Sequence, residues 1–171
     1  MPVSDLNSSE YQLSLFEALL DARDKYGSKT EILEDIERQP LTYDRLVLAS
    51  LILGAKLARI TKKGEMVGIL LPNVSGVAVT FFGLCAYGRV PAMLNFSAGL
   101  LHIGGACKCS GIKTVLTSKR FIEQAGMDEL IKELGAKTNI VWLEDIKADI
   151  GFGDRLGGLL KSWRARRFHE K

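Results

Sequence analysis

Residues 66–94 read "MVGILLPNVSGVAVTFFGLCAYGRVPAML" and contain two short apolar runs separated by a longer segment. The runs at 66–71 and 90–94 are too short for helices and are typical of buried strands. The segment 75–87 is apolar on nearly every side, which predicts a deeply buried helix. Two strands joined by a crossover helix pair in parallel, so this stretch predicts a strand–helix–strand unit.

The same alternation continues towards the C-terminus. Further apolar runs occur at 113–117 ("KTVLT") and 139–143 ("NIVWL"), so the four runs start 24, 23 and 26 residues apart. Each gap carries a helical pattern. Near-continuous apolar strands that alternate with helices predict an α/β fold, with one parallel sheet covered by helices on both faces. We expect the run at 90–94 to be an interior strand, with Pro91 near its entry.

The flanking segments predict further elements. A helical pattern that begins near Leu13 ends at Gly27, and the segment 31–43 predicts two short extended pieces that turn near 37–39. Thr42 is placed to cap a helix that runs to Thr61. Three glycines are predicted to end helices in left-handed conformation, Gly88, Gly111 and Gly135. Three serines are predicted helix N-caps, Ser75, Ser97 and Ser118.

Length and composition favour a single α/β unit over residues 1–171. The chain is 47% hydrophobic and 25% charged, which is ordinary for a globular protein. No apolar run reaches the roughly 18 residues of a membrane-spanning helix, and the N-terminus has no signal-peptide pattern. The three cysteines are odd in number, which indicates a reducing, cytoplasmic compartment rather than a disulfide framework.

The net charge of +3 is concentrated at one end. Residues 161–171 carry five Lys or Arg and one Glu, a local charge of +4, which leaves −1 for the first 160 residues. A nucleic-acid-binding protein spreads basic residues over a face with interleaved aromatics, so no nucleic-acid partner is predicted.

The motifs of several catalytic folds are missing. "PNVSG" after the first strand is not the glycine fingerprint of a dinucleotide site, and "GIKT" and "GAKT" are not Walker loops. Cys107 and Cys109 lack the further ligands of a metal site and are interpreted as structural. His102 is interpreted as a helix-face residue and His169 as solvated. We therefore predict no catalytic and no metal-binding residue.

The segment 154–168 predicts a basic amphipathic helix. Its apolar stripe consists of Leu156, Leu159, Leu160 and Trp163. Such a helix can lie on an anionic membrane surface, or it can be a packing helix whose covering neighbour is missing. We favour the second interpretation, partly because Gly157 and Gly158 weaken the helix. We expect the stripe to be incompletely covered and the chain to self-associate.

The turn "NFS" follows the strand at 90–94. Ligands of open α/β sheets bind at the carboxyl ends of the strands. We therefore predict that Asn95, Phe96 and Ser97 form a wall of a substrate cleft.

Several segments together resemble a known family. "LTYDRL" (41–46), the stretch 63–96 and "GIKTVLTSKRF" (111–121) are similar to the N-terminal part of adenylate-forming acyl-CoA synthetases and their relatives. "GRVPAMLNFSAG" (88–99) and "VWLEDIKADI" (141–150) are closer to one subgroup. Its members are acyl-[acyl carrier protein] synthetases fused to 2-acylglycerophosphoethanolamine acyltransferase. Tyr87 replaces the usual Ala of an Ala-Gly pair, which we interpret as a change of size at a buried helix end.

The resemblance implies a fragment of a larger enzyme. The family's phosphate loop, adenine motif, ribose-binding Asp and catalytic Lys lie downstream of the region matched here, so it assigns no catalytic residue to this chain. For the parent enzyme it implies ATP and magnesium as cofactors and a fatty acid as substrate. The acceptors would be acyl carrier protein or CoA and a lysophospholipid, at the cytoplasmic face of the inner membrane. The fragment alone is expected to bind no cofactor and to be inactive.

Two other interpretations stay open at this point. One is a complete, non-catalytic α/β binding module. The other is a nucleotide-dependent oxidoreductase domain, which the missing glycine fingerprint disfavours.

Overall fold

The computed structural model describes residues 12–35 and 40–169 and shows an α/β fold. A short antiparallel pair comes first, β1 (Glu31–Leu33) and β2 (Leu41–Thr42). The main sheet follows, with β3 (Met66–Ile69), β4 (Val90–Met93), β5 (Thr114–Thr117) and β6 (Asn139–Trp142). The two predicted extended pieces are confirmed, and the turn predicted at 37–39 lies outside the described residues.

The main sheet has the order β4-β3-β5-β6, and all its pairings are parallel. The prediction of one parallel sheet from four apolar runs is confirmed. The prediction that 90–94 is an interior strand is wrong, because β5 pairs with the other side of β3 and leaves β4 at the edge of this sheet. As a result Val90 and Met93 are 45% and 54% exposed.

Helices cover both faces of the sheet, as predicted. They are α1 (Leu15–Tyr26), α2 (Tyr43–Ile60), α3 (Ser75–Ala86), α4 (Leu100–Cys109), α5 (Lys119–Ala125), α6 (Asp128–Gly135), α7 (Leu143–Ala148), α8 (Phe152–Trp163) and α9 (Ala165–His169). Within the described ranges, none is both long enough and apolar enough to cross a bilayer.

Neighbouring residues of a strand point to opposite faces of the sheet, which creates two cores. Val115 packs with Ile103 and with residues of α5 and α6. Leu116 packs on the other side with Leu84 of α3 and Leu57 of α2. A third cluster joins α1 and α9 to the outer surfaces of α2 and α3. The layers therefore stack in this order: the helices α4, α5 and α6, then the main sheet, then the helices α2, α3 and α7. An outer layer on the far side of these helices includes α1 and α9.

The helices α2 and α3 approach each other through glycines. A Cβ atom on Gly54 would lie 2.4 Å from the carbonyl oxygen of Gly83 and 2.7 Å from the Tyr87 ring. A Cβ atom on Gly83 would lie 3.0 Å from the carbonyl oxygen of Ser50. Helix α3 is fully buried only at Thr80, Gly83, Leu84 and Ala86, and its other residues are half-buried. The predicted deep burial of 75–87 therefore holds for one side of the helix.

The helix ends confirm some of the predicted caps and correct others. The side chains of Thr42 and Ser118 accept hydrogen bonds from the backbone N–H groups of Arg45 and Phe121, as N-caps do. Ser75 is not a cap, because the carboxylate of Asp35 accepts the hydrogen bond of its N–H and Val74 is the cap residue.

The 3-10 turn Phe96–Ala98 is capped by Asn95 instead of Ser97. Gly27, Gly88 and Gly111 have positive φ angles, as the helix ends required. Gly135 does not, because it is still the last residue of α6, and the C-cap is Ala136.

An ion-pair cluster holds the start of α8 against α2. The side chain of Lys56 is 7% exposed, and its Nζ lies 2.7 Å from Asp149 Oδ2 and 2.8 Å from Asp154 Oδ2. The hydrogen bonds that Lys56 donates to Asp149 and Asp154 raise the pKa of Lys56. Hydrogen bonds from Lys56 and from the Gly151 N–H lower the pKa of Asp154.

Two residues connect the C-terminal helices to the rest of the fold. The Tyr87 hydroxyl donates to the carbonyl oxygen of Leu51 and accepts from Lys161 Nζ, each at 3.0 Å. Tyr87 is therefore more than the change of size that the sequence indicated. The prediction that His169 is solvated is wrong. Its Nε2 accepts from the Ser14 hydroxyl at 2.7 Å and its Nδ1 donates to the Ala86 carbonyl at 3.2 Å.

We expect Gly54→Ala to destabilise the fold by about 1–3 kcal/mol, because the added methyl group overlaps backbone atoms that cannot move independently. Urea denaturation measures the change. The matched control is Gly104→Ala on α4, where a Cβ would meet nothing within 4 Å. That substitution should be neutral or stabilising by up to about 1 kcal/mol, because alanine favours helix. Equal midpoints for the two variants would contradict the close contact.

We expect the contribution of Asp154 to stability to disappear in acid. The pKa of Asp154 is lower in the folded state than its usual value of 3.8. The ionised carboxylate therefore stabilises the fold fully above the usual pKa, and this stabilisation is lost as the pH falls through the lowered pKa of the folded state. The difference in urea midpoint between the wild type and Asp154→Asn should be constant from about pH 5 to 8 and should shrink below the usual pKa. Asp145→Asn, in an exposed pair with Lys119, is the control and should change the midpoint little. A difference that persists in strong acid would contradict the assignment.

Candidate functional site

The carboxyl ends of the parallel strands define the candidate site. Four segments follow β3, β4, β5 and β6 at this edge, namely 70–75, 94–99, 117–118 and 143–144. The pairing extends into them, since the Leu94 N–H donates to the Ile69 carbonyl and the Leu70 N–H to the Leu116 carbonyl, each at 2.9 Å. The edge is therefore a continuous part of the sheet, and ligands of open α/β sheets bind at such edges.

The turn after β4 exposes polar groups. Asn95 Oδ1 accepts hydrogen bonds from the Ser97 N–H at 3.0 Å and from the Ser97 hydroxyl at 2.7 Å. Both side chains are exposed, and Gly99 ends the turn with a φ of 77°. The amide N–H groups of Asn95 have no hydrogen-bond partner in the part of the chain that the structure describes. The turn can thus offer hydrogen-bond donors to a bound molecule.

Phe96 lies differently from its two neighbours. Its ring is half-buried and meets the Phe121 ring edge to face, with centroids 5.3 Å apart. Such aromatic pairs stabilise beyond the area that they bury. Phe96 therefore fixes the turn to α5, while Asn95 and Ser97 remain accessible.

A half-buried carboxylate, that of Glu144, lies where β5 and β6 end, and no local pattern in the sequence indicates it. The Ser118 hydroxyl donates to Glu144 Oε1 at 2.7 Å, and the Arg120 N–H donates to the same oxygen at 3.4 Å. Burial opposes ionisation of Glu144, but the Ser118 hydrogen bond and the backbone N–H groups outweigh it and hold its pKa below the usual value. The other oxygen, Oε2, is buried and has no hydrogen-bond partner among the described residues. The carboxylate thus occupies the N-terminus of α5.

The N-terminus of α3 is filled in the same way. Asp35 Oδ2 accepts from the Ser75 N–H at 3.0 Å. Helix N-termini attract anions through their free N–H groups and the helix dipole. At α3 and α5 the anion is a carboxylate of the chain itself, so neither end is open to a phosphate. The sequence gives little indication of these two contacts, because both carboxylates are far along the chain from the helices that they cap.

The residues with the chemistry of a nucleophile or metal ligand do not form a catalytic group. Burial raises the pKa of the Cys85 thiol to about 11 and also raises the pKa of Cys107. His102 is exposed, and its Nδ1 donates to the Ala98 carbonyl at 2.8 Å, which fits a helix-face residue. Within residues 12–35 and 40–169, no three His, Cys, Asp or Glu side chains lie together as a metal site.

ATP and magnesium, which the resemblance implies, do not fit the residues described. A triphosphate requires converging N–H groups and a cation, and its metal requires oxygen ligands. Of the helix N-termini at this edge, those of α5 and α3 are occupied by Glu144 and Asp35. The helices α4 and α7 also begin at this edge, without a side-chain cap. A single uncapped helix end does not supply the cation and the metal ligands that a triphosphate requires. We therefore assign no step through a nucleotide to the residues that the structure describes.

Solved structures share this fold at low sequence identity. VinN in complex with 3-methylaspartate superposes with a TM-score of 0.69 at 21% identity, over 84% of this chain and 38% of VinN. The N-terminal subdomain of NpsA from Klebsiella oxytoca, in complex with 3-hydroxybenzoyl-AMSN, gives a TM-score of 0.65 at 14% identity, over 81% of this chain and 32% of that one. An artificially fused adenylation–PCP di-domain, NpsA-ThdA, gives a TM-score of 0.64 at 14% identity. The superposition covers 81% of this chain and 24% of the di-domain. The chain thus spans less than two-fifths of these proteins, and the likeness concerns the fold.

A family profile gives the assignment. The profile described as "AMP-binding enzyme" matches residues 20–151. This range begins in α1 and ends just before α8, so it contains the whole sheet and the carboxyl edge. The protein belongs to the AMP-binding enzyme family.

Proposed function

We propose that this chain is the N-terminal α/β region of a longer ligase that activates a fatty acid. In that reaction a carboxylate oxygen of the fatty acid attacks the α-phosphorus of ATP, and pyrophosphate leaves. The thiol of a phosphopantetheine group on an acyl carrier protein, or of CoA, then attacks the acyl carbonyl and AMP leaves. A hydroxyl group of a lysophospholipid then attacks the thioester carbonyl, and the thiol of the carrier leaves. Magnesium accompanies the ATP and neutralises the displaced pyrophosphate.

One observation supports the reaction class above all. The AMP-binding family profile covers residues 20–151, and the fold of this range is that of the N-terminal subdomains of adenylate-forming proteins. The choice of a fatty acid depends on the resemblance of "GRVPAMLNFSAG" (88–99) to acyl-[acyl carrier protein] synthetases. The acids named with VinN and NpsA belong to those proteins, whose identity to this chain is 21% or less.

In this proposal the chain positions the substrate and performs no chemical step. Asn95 and Ser97 form part of the cleft wall, because they are the exposed polar residues of the turn after β4. Phe96 supports the turn from the side of α5. The catalytic groups belong to other parts of the longer protein, which we place at the cytoplasmic face of the inner membrane.

ATP–pyrophosphate exchange by the full-length protein tests this function. We expect palmitate to support exchange at least about tenfold faster than L-aspartate or 3-hydroxybenzoate, because an apolar pocket leaves their polar groups unpaired. Asn95→Ala should lower kcat/KM for palmitate about fivefold, which corresponds to one hydrogen bond of about 1 kcal/mol.

The matched control for this experiment is Asn139→Ala. Asn139 is also exposed, but it begins β6 at the opposite edge of the sheet. It should leave kcat/KM within about twofold, because it is far from the proposed cleft wall. Exchange that prefers aspartate or the aryl acid contradicts the fatty-acid assignment, and equal effects of the two Asn variants contradict the cleft wall.

The 171-residue chain by itself should not bind MgATP with useful affinity. Micromolar binding represents about 8 kcal/mol, and an exposed helix N-terminus contributes about 1 kcal/mol or less. Calorimetric titration of the purified chain is the measurement. A saturable site tighter than about ten micromolar would show that the phosphate cradle lies within these residues and that the chain is not a partial site.

A further inference from the structure

An ordinary surface helix buries its apolar face and exposes its polar face, whereas helix α8 does the reverse. Its inner face contains Gly158, where a Cβ would lie 2.3 Å from Ile52 Cγ1, and Asp154, whose side chain is 16% exposed. Lys161 also turns inward, with its Nζ 5.2 Å from the centre of the Tyr87 ring and 4.9 Å from that of Phe168. The side that packs on α2 is thus made of glycine and charged residues.

The outer face is apolar. It carries Phe152, Leu156, Leu159, Leu160 and Trp163, which are 82%, 49%, 54%, 60% and 85% exposed. These positions recur at helical spacing, so they form one stripe about 17 Å long. The predicted incomplete covering of the stripe is confirmed. Contiguous exposed apolar surface of this kind marks an interaction site.

On α8 and just past its C-terminal end, the charged side chains that flank the stripe are basic. Arg155 lies on the same face, and Arg164 and Arg167 continue it past the end of the helix, all three exposed. None of the three has a carboxylate within ion-pair distance in the described ranges. Arg166 differs, because it pairs with Asp21 and Asp24 of α1.

A groove of 570 Å³ runs beside the stripe, lined by Leu159, Leu160 and Trp163 on one side and by α1 and α2 on the other. The acidic residues of its far wall are Asp24 and Asp44, and Arg23 lies within 3.9 Å of both. Arg23 and Arg166 together offset two of the three carboxylates on and beside this wall, Asp21, Asp24 and Asp44. The three unpaired arginines outnumber the one carboxylate that remains, so the net charge of these side chains is positive.

We propose that this outward face of α8 docks on the surface of an anionic phospholipid bilayer. The helix would lie in the plane of the interface, with its apolar side chains among the acyl chains and its arginines at the lipid phosphates. An exposed apolar stripe with a Trp and flanking arginines is the pattern of interfacial helices. Each arginine near an anionic leaflet adds attraction that salt weakens.

The same charges disfavour a second copy of the chain as the occupant. A symmetric antiparallel pair of α8 helices centred between Leu159 and Leu160 would place Arg155 of one copy opposite Arg164 of the other. Like charges opposite each other are destabilising. Self-association, which the sequence predicted, therefore becomes the competing outcome of the test.

This inference deepens the membrane location given in the proposed function, but its observations concern residues outside the matched range 20–151 and do not depend on the reaction. The two can therefore fail separately. A bilayer-bound chain is also compatible with any acid as the substrate of the longer protein.

Vesicle co-sedimentation of the 171-residue chain tests the docking. We expect binding to vesicles of mixed phosphatidylcholine and phosphatidylglycerol, weak binding to phosphatidylcholine alone, and release by salt. The double variant Leu160→Ser/Trp163→Ser should bind the anionic vesicles at least about tenfold more weakly, because it removes two large apolar groups. Changing Arg155, Arg164 and Arg167 to Gln should weaken binding by a similar factor.

Matched controls exist on the other side of the sheet. Leu101→Ser removes a leucine of α4 that is 88% exposed. Changing Lys108, Lys132 and Lys137 to Gln removes three exposed charges from α4 and α6 and its following turn. Both controls should bind the anionic vesicles like the wild type.

Tryptophan fluorescence gives a second readout, which does not depend on affinity. In a Trp142→Phe background only Trp163 emits, and its emission should shift to the blue with anionic vesicles. No binding to anionic vesicles, equal binding to neutral ones, or equal weakening by the controls would overturn the proposal. So would sedimentation equilibrium showing a dimer that Trp163→Ser abolishes, in a chain that does not bind vesicles.

Discussion

The close contact between α2 and α3 is the constraint on which the rest of the structure depends. Gly54 and Gly83 bring the two backbones so near that a single methyl group would overlap a carbonyl oxygen. Because α3 is the crossover between β3 and β4, this contact fixes the crossover against the sheet. Leu57 of α2 then reaches the same core as Leu116 of β5. The opposite side of α2 holds α8 through Lys56.

The sequence predicts the sheet well because short apolar runs that alternate with helices leave few other folds. It does not predict the place of β4, because strand order depends on which chain segment reaches the free side of β3. The caps show the same limit. Ser118 acts on its own helix and was predicted correctly, whereas at Ser75 the distant Asp35 supplies the hydrogen-bond acceptor.

Contacts between residues far apart in the sequence also explain the misread histidine and tyrosine. His169 looks solvated in a basic terminal segment, yet it joins α9 to Ser14 and Ala86. At the candidate site the turn at Asn95 was located from the sequence because it follows an apolar strand. Glu144 was missed, since nothing local indicates that its carboxylate turns to α5.

The two proposed sites lie on different parts of the surface, at the carboxyl edge of the sheet and on the outer face of α8. At the edge, the N-termini of α3 and α5 are neutralised by the chain's own carboxylates, whereas the turn after β4 leaves the polar groups of Asn95 and Ser97 exposed. On α8 the apolar side chains and unpaired arginines face outward. The AMP-binding family match covers the first part and stops before the second.

The most direct test of the central claim is a crystal structure of the full-length protein with a non-hydrolysable acyl-adenylate analogue. Our account predicts that the analogue contacts the turn after β4, with Asn95 or Ser97 within van der Waals distance of about 4 Å. It also predicts that the Glu144 carboxylate remains at the N-terminus of α5. An analogue bound away from the carboxyl edge of this sheet, with the turn in contact only with solvent or other protein, would contradict it.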